Sequence, residues 1–234
     1  MKILANDGIS ESGVTLLESA GFNVSTDKID QDNLIDAIND QKIEVILVRS
    51  ATKVRKDIID SCPNLKIIGR GGVGMDNIDV DYAKEKGIQV INTPAASSQS
   101  VAELVMAQLF NISRSVYDSN RKMPSSTNGD FKVLKKKYAK GIELRGKTIG
   151  IIGFGRIGQN TARYALGCGM KVIASDPFID QSDIELEING QPLIVNIPTI
   201  TFDEVLANAD FISLHVPMPS DGKALIGEDE FNKM

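Results

Sequence analysis

Apolar positions along this chain fall into two alternating series. Short apolar runs at Lys2–Ala5, Asn23–Ser25, Val45–Val48, 65–69 and Gln89–Asn92 have the length and aliphatic content of strands. Between them apolar residues recur at helical spacing over Glu11–Ser19, 32–39, Lys56–Ser61 and 80–86. Gly21 and Gly87 stand where the flanking helices must stop, because a left-handed residue ends a helix with least strain. Alternation of this kind predicts βαβ units and a parallel, doubly wound sheet.

After Asn92-Thr93-Pro94 the period lengthens into one helix over 98–120, with Val101, Leu104, Val105, Gln108, Leu109 and Ile112 on a largely apolar face. A polar stretch follows at 123–130, and the run at 132–140, rich in lysine, reads as a solvated connection. The second series has a strand over 149–152, a helix over 159–166 that stops at Gly167-Cys168-Gly169, and a strand at Lys171–Ser175. Its last strand, 210–216, is apolar on both faces and is expected inside a sheet. The fold class is therefore α/β: two doubly wound parallel-sheet units, Rossmann- or flavodoxin-like, joined by the long helix. The boundary falls at 97, giving units 1–97 and 98–234, the second ending after its fourth strand.

Composition narrows the classes. The 234 residues carry 42% hydrophobic positions, enough to bury a core, and a formal net charge of −5, which argues against a nucleic-acid partner. Cys62 and Cys168 lie far apart with no C-x-x-C, as in reduced cytoplasmic proteins. No apolar run approaches the roughly 20 residues that span a bilayer, so no membrane association is expected. No cluster suggests a metal.

The most specific chemistry is the run Thr148 to Gly158, an apolar segment ending in G-x-G-x-x-G. Gly153 suits the tight turn out of a strand, Gly155 lets backbone approach a pyrophosphate, and Gly158 lets the next helix pack close. That helix directs its free N–H groups and positive dipole end at the phosphates. Asp176 closes the following strand 18 residues past Gly158, near the spacing of a ribose-binding carboxylate. It would repel a 2′-phosphate, and no arginine follows in Pro177-Phe178-Ile179-Asp180, so NAD is favoured over NADP. The alternative is a purely structural β-turn-α. Arg49 and Arg70 each follow an apolar strand, where open α/β sheets bind ligands, and their guanidinium forks match carboxylate or phosphate. The alternative for each is a surface ion pair. Asp76, Asn77 and Asp79 read as loop-fixing hydrogen bonders.

Several motifs occur in order: Val48-Arg49-Ser50-Ala51-Thr52-Lys53-Val54, Gly69-Arg70-Gly71-Gly72-Val73-Gly74-Met75-Asp76-Asn77-Ile78-Asp79, Asn92-Thr93-Pro94, the glycine loop, and Ala209-Asp210-Phe211-Ile212-Ser213-Leu214-His215-Val216-Pro217. Together they resemble the D-isomer-specific 2-hydroxyacid dehydrogenases, above all the 3-phosphoglycerate branch. The resemblance implies NAD-dependent oxidation of a D-2-hydroxy acid, 3-phosphoglycerate to 3-phosphohydroxypyruvate, the first step of serine biosynthesis. It implies a substrate unit at 1–97 and an NAD unit at 98–234. Gly153, Gly155, Arg156, Ile157 and Gly158 would cradle the pyrophosphate, and Asp176 the adenosine ribose. His215, Val216 and Pro217 would line the adenine side. Gly72, Val73 and Gly74 would offer N–H groups to the substrate carboxylate, with Val73 bordering the nicotinamide. Arg49, Ser50 and Arg70 would hold the anionic groups of a phosphorylated substrate. Ser97 stands where such enzymes often carry asparagine.

In this family an Arg, a Glu and a His after the H-V-P strand perform catalysis. The single histidine here, His215, lies within that strand and matches the cofactor side, so no catalytic residue is expected in this chain. The resemblance thus describes the N-terminal part of a dehydrogenase. The alternatives are a non-catalytic NAD-binding protein and a sibling hydroxypyruvate or glycerate dehydrogenase. It also implies a homodimer, with contacts through 117–141.

Overall fold

Continuous rather than alternating apolar strands need cover on both faces, and in each half of the chain helices supply it. The computed structural model describes residues 1–127, 129–219 and 222–234, and divides into two units, Met1–Ser97 and Ser98–Met234.

The first unit runs β1 (Lys2–Ala5), α1 (Glu11–Ser19), β2 (Asn23–Ser25), α2 (Leu34–Asp40), β3 (Val45–Val48), α3 (Lys56–Ser61), β4 (Ile67–Arg70), α4 (Val80–Glu85) and β5 (Gln89–Asn92). The helix expected over 32–39 begins as a 3-10 turn at Gln31–Asn33 before α2. The strand expected at 65–69 starts two residues later. Leu65 donates its N–H to the Cys62 carbonyl (3.0 Å), closing the turn after α3. All five strands are parallel, in the order β2-β1-β3-β4-β5. Leu4, Ile38, Ile46, Ile58 and Ile68 fill one core between sheet and helices. The order reverses between β1 and β3, so the chain leaves their C-terminal ends in opposite directions and opens a crevice there.

The second unit opens with α5 (Ser98–Arg114), α6 (Val116–Lys122) and α7 (Asp130–Tyr138). The single helix expected over 98–120 is broken at Ser115, which is left-handed (φ 51°). The Asn111 side chain accepts the Tyr117 N–H (2.7 Å) across the break. The buried stripe of α5 is Ser98, Ala102, Met106, Leu109 and Ser113, which shares only Leu109 with the expected face. Small residues there let α8 (Arg156–Gly167) pack close, and Leu104 and Ile112 are left 60% and 69% exposed. The lysine-rich run expected as a connection is helical: it forms α7, where Lys137 and Tyr138 both donate to Asp118.

Then come β6 (Thr148–Ile152), α8, β7 (Lys171–Ser175), β8 (Gln181–Ile188), β9 (Gln191–Pro198), α9 (Phe202–Asn208), β10 (Phe211–Leu214) and α10 (Glu228–Phe231). The parallel sheet has the order β10-β6-β7. On the other side of β7 a single parallel bridge joins Ala174 to Thr199. The positions therefore read third-second-first-fourth, the third strand reduced to one bridge. The expectation that the last strand is interior is corrected: β10 pairs only with β6 among the described residues, and Leu214 is 46% exposed. β8 and β9 form an antiparallel hairpin turned by Asn189 and Gly190, both at positive φ, as a two-residue type I′ turn requires. Ile149, Phe154, Ala162 and Ile184 share the main core of this unit.

Candidate functional site

In the first unit a cavity of about 650 Å³ opens at the C-terminal ends of β1, β3, β4 and β5. Asp7, Gly8 and Ser10 line it from β1, Arg49 from β3, Arg70 and Gly71 from β4, and Asn92 and Thr93 from β5. The structure thus brings Arg49 and Arg70 together. Ser50 lies on an adjoining hollow with Lys28, and its hydroxyl accepts from Arg70 Nη2 (3.2 Å). Arg70 Nε is buried without a hydrogen-bond partner. Gly72, at φ 151°, lies so close under the guanidinium that a Cβ there would overlap Arg70 Nη1. Val73 is exposed, and its carbonyl accepts from Asn92 Nδ2 (2.8 Å). A Cβ on Gly74 would meet Asp76 Oδ1 at 3.2 Å.

The loop after β3 is held from two sides. Asp7 Oδ2 accepts the N–H groups of Arg49 (2.6 Å) and Thr52 (3.1 Å). Asp7 Oδ1 accepts from Thr52 Oγ1 (2.7 Å) and Lys28 Nζ (2.6 Å). Asn77 Nδ2 donates to the carbonyls of Arg49 and Thr52, both at 2.7 Å. Burial acts to raise the Asp7 carboxyl, but Lys28, the Thr52 hydroxyl and the two N–H groups outweigh it and hold the group well below the ordinary carboxylate range. Sequence reading missed Asp7, Lys28 and Thr52. The only local signal was an acid closing an apolar strand. Asp79 accepts from Arg55 Nη1 (2.9 Å) and the Lys56 N–H (3.0 Å), so it fixes the next turn.

In the second unit the glycine loop links β6 to α8. Gly153 (φ 91°) makes the turn, and a Cβ there would meet the His215 carbonyl oxygen at 2.6 Å. A Cβ on Gly158 would collide with the Gly153 carbonyl, whereas one on Gly155 would meet nothing within 4 Å. Gly155 and Arg156 are exposed and Ile157 half-buried. Asp176 accepts the Phe154 N–H on one oxygen (2.7 Å) and the Phe178 N–H on the other (2.9 Å). Each carboxylate oxygen keeps a free lone pair for a hydroxyl donor. Open space at Gly155, the first turn of α8 and this carboxylate fit a dinucleotide.

His215 Nε2 lies 3.0 Å from Ser213 Oγ and 3.4 Å from Thr161 Oγ1, while Val216 and Pro217 are exposed beyond it. Burial pushes the imidazole below its ordinary value. The unfolded chain therefore takes up this proton first, near pH 6.5. Stability from the neutral ring is complete above that pH and is lost as pH falls through the folded value. The melting temperature is expected to fall between pH 7 and 5.5, and less so in His215→Asn. His215 is the single histidine, so one imidazole proton resonance reports the titration directly. A titration midpoint at or above 6.5 would contradict this. Among the described residues no group of His, Cys, Asp or Glu could hold a metal ion, and no helix is long and apolar enough to cross a membrane.

The chain is similar to known proteins. The hydroxypyruvate reductase of Thermotoga maritima is 41% identical over 234 residues, all of this chain and 70% of that protein. The D-3-phosphoglycerate dehydrogenase of Methanocaldococcus jannaschii is 40% identical over all of this chain, which spans only 42% of its length. The NAD+-bound 3-phosphoglycerate dehydrogenase of Entamoeba histolytica superposes with a TM-score of 0.73 at 29% identity, covering 100% of this chain and 68% of that one. The family model for the catalytic domain of the D-isomer specific 2-hydroxyacid dehydrogenases matches residues 3–217, spanning the paired arginines, the glycine loop and Asp176. The chain belongs to the D-isomer specific 2-hydroxyacid dehydrogenase family.

Proposed function

We propose that this chain supplies the NAD site and the anion-holding part of the substrate site for oxidation of a phosphorylated D-2-hydroxy acid, 3-phosphoglycerate above all. The observation that carries the reading is the pair Arg49 and Arg70 lining one cavity at the C-terminal ends of the strands. A carboxylate or phosphate group matches the guanidinium forks. Asp176 would take the ribose hydroxyls and repel a 2′-phosphate, which supports NAD over NADP. NAD held by the glycine loop and Asp176 would supply the hydride acceptor for C2. Arg49 and Arg70 hold the anionic groups so that C2 keeps one orientation, and the Gly72–Gly74 turn offers backbone N–H groups to the carboxylate. His215 Nε2 already faces Ser213 and Thr161, so the hydroxyl proton is not assigned to it.

Calorimetric titration of the chain with NAD, NADP, 3-phosphoglycerate and glycerate tests this. NAD is expected to bind at least about tenfold tighter than NADP, a difference of about 1.4 kcal/mol. 3-Phosphoglycerate is expected to exceed glycerate. Equal affinity for the two acids would favour the hydroxypyruvate and glycerate reading, which the 41% identical relative supports.

A homodimer is proposed on a second observation. Ile112 (69% exposed), Val116 (50%), Tyr117 (64%) and Val133 (68%) leave α5, α6 and α7 with uncovered apolar side chains. A second copy would cover them. Sedimentation should give a dimer that Ile112→Asp dissociates; a monomeric parent chain would end this proposal.

A further inference from the structure

A carboxylate inside an anion-binding cavity is an apparent contradiction, since its field opposes the ligand. Asp7 lines the same cavity as Arg49 and Arg70, and its side chain is only 5% exposed. Its geometry resolves the contradiction. Neither oxygen is left facing the cavity unpaired: one takes the Arg49 and Thr52 N–H groups, the other the Thr52 hydroxyl and the Lys28 ammonium. Lys28 cancels the charge, and it also donates to Thr52 Oγ1 (3.2 Å). Asn6 Nδ2 donates to that hydroxyl as well (2.9 Å). The contacts therefore converge on the main chain of the loop that carries Arg49 and Ser50, and Asn77 grips the opposite, carbonyl edge of that loop.

We propose that Asp7 is a positioning residue: with Lys28 as its counter-ion, it fixes the Arg49–Thr52 loop so that the Arg49 and Arg70 guanidinium groups converge on one anion. This rests on the reading of the cavity as the site of a phosphorylated hydroxy acid. A bidentate carboxylate bonded to two N–H groups of one loop sets both its height above the sheet and its rotation, and such charge-assisted bonds are short and directional. Asparagine cannot replace it. With its carbonyl oxygen on the two N–H groups, its amide nitrogen would face the Lys28 ammonium, which only donates, and the charge that pairs with Lys28 would be gone.

The test is Asp7→Asn, with 3-phosphoglycerate and NAD as separate probes. Affinity for 3-phosphoglycerate should fall at least tenfold while affinity for NAD, bound by the other unit, stays within twofold. The amide proton resonances of Arg49 and Thr52 should move upfield as their carboxylate acceptor is lost, which mere loss of stability would not produce. Should Asp7→Asn fail to fold, Lys28→Gln decides. Lys28 is 52% exposed, and its loss leaves the Asp7 charge without its counter-ion beside the ligand, which should weaken 3-phosphoglycerate at least threefold. A folded variant of either kind that binds 3-phosphoglycerate like the parent overturns the proposal. A parent chain that binds NAD but no 3-phosphoglycerate overturns the substrate reading, and this inference with it.

Discussion

Gly158→Ala should lower the melting temperature markedly, whereas Gly155→Ala should leave it unchanged and weaken NAD binding. These two glycines sit in one motif, three residues apart, and the structure gives them opposite surroundings. A Cβ on Gly158 would run into the Gly153 carbonyl and come within 3.0 Å of Ile151 Cγ2. Backbone cannot yield as a side chain can, so α8 would have to lift from β6. Overpacking of this kind costs about 1–3 kcal/mol, a fall on the order of 5–10 °C for a unit of this size. Gly155 has φ −72° and ψ −162°, a conformation any residue adopts, and a Cβ there meets nothing within 4 Å. The methyl group would instead fill the space through which a pyrophosphate reaches the first turn of α8. Affinity for NAD should fall at least about tenfold, or 1.4 kcal/mol. The chain has no tryptophan, so calorimetry is the suitable readout beside thermal unfolding by circular dichroism. Unchanged NAD affinity in Gly155→Ala would remove this loop from the cofactor site.

Arg70→Met should abolish most 3-phosphoglycerate binding without destabilising the free chain. An unsatisfied buried donor costs about 1–3 kcal/mol, and a hydrogen bond to a charged group contributes about 1.5–3 kcal/mol. In the free protein Arg70 Nε carries the first of these, with only the long bond to Ser50 as a return. Methionine fills a similar volume and leaves no donor behind, so the melting temperature should hold or rise. With ligand the balance reverses. Losing one or two charge-assisted bonds should weaken 3-phosphoglycerate roughly ten- to a hundredfold. Arg70→Lys should not restore it, because a point charge lacks the planar fork. A clear drop in melting temperature, or an affinity that does not change, would show that Arg70 serves the fold and not a ligand.

Asp7 adds a pH signature to this site. Its folded carboxyl lies below the ordinary range. Its contribution is therefore complete above the unfolded value of about 4 and is lost as pH falls through the folded one. The stability difference between the parent chain and Asp7→Asn should be constant near neutrality and shrink only in acid.

What the sequence determined by itself is local. Strand after strand could be read from apolar runs, because burial on both faces leaves no polar alternation to confuse the period. The glycine turn before α8 and the end of β7 were equally legible, since each is set by local conformation. Tertiary structure decided the rest. Periodicity records which positions of α5 are apolar, not which are covered, and close packing against α8 selected Ala102 and Met106 over Leu104 and Ile112. No glycine or proline marks the break at Ser115. The Asn189-Gly190 turn was a readable signal for the β8–β9 hairpin, yet the interruption of a βαβ series by an antiparallel pair was not. The clamp on the Arg49 loop joins residues 21, 45 and 28 positions apart: Asp7 with Lys28, Asp7 with Thr52, and Asn77 with Arg49. Only a folded sheet that brings the ends of β1, β3 and β4 side by side gathers a carboxylate, an ammonium and two arginines around adjoining cavities.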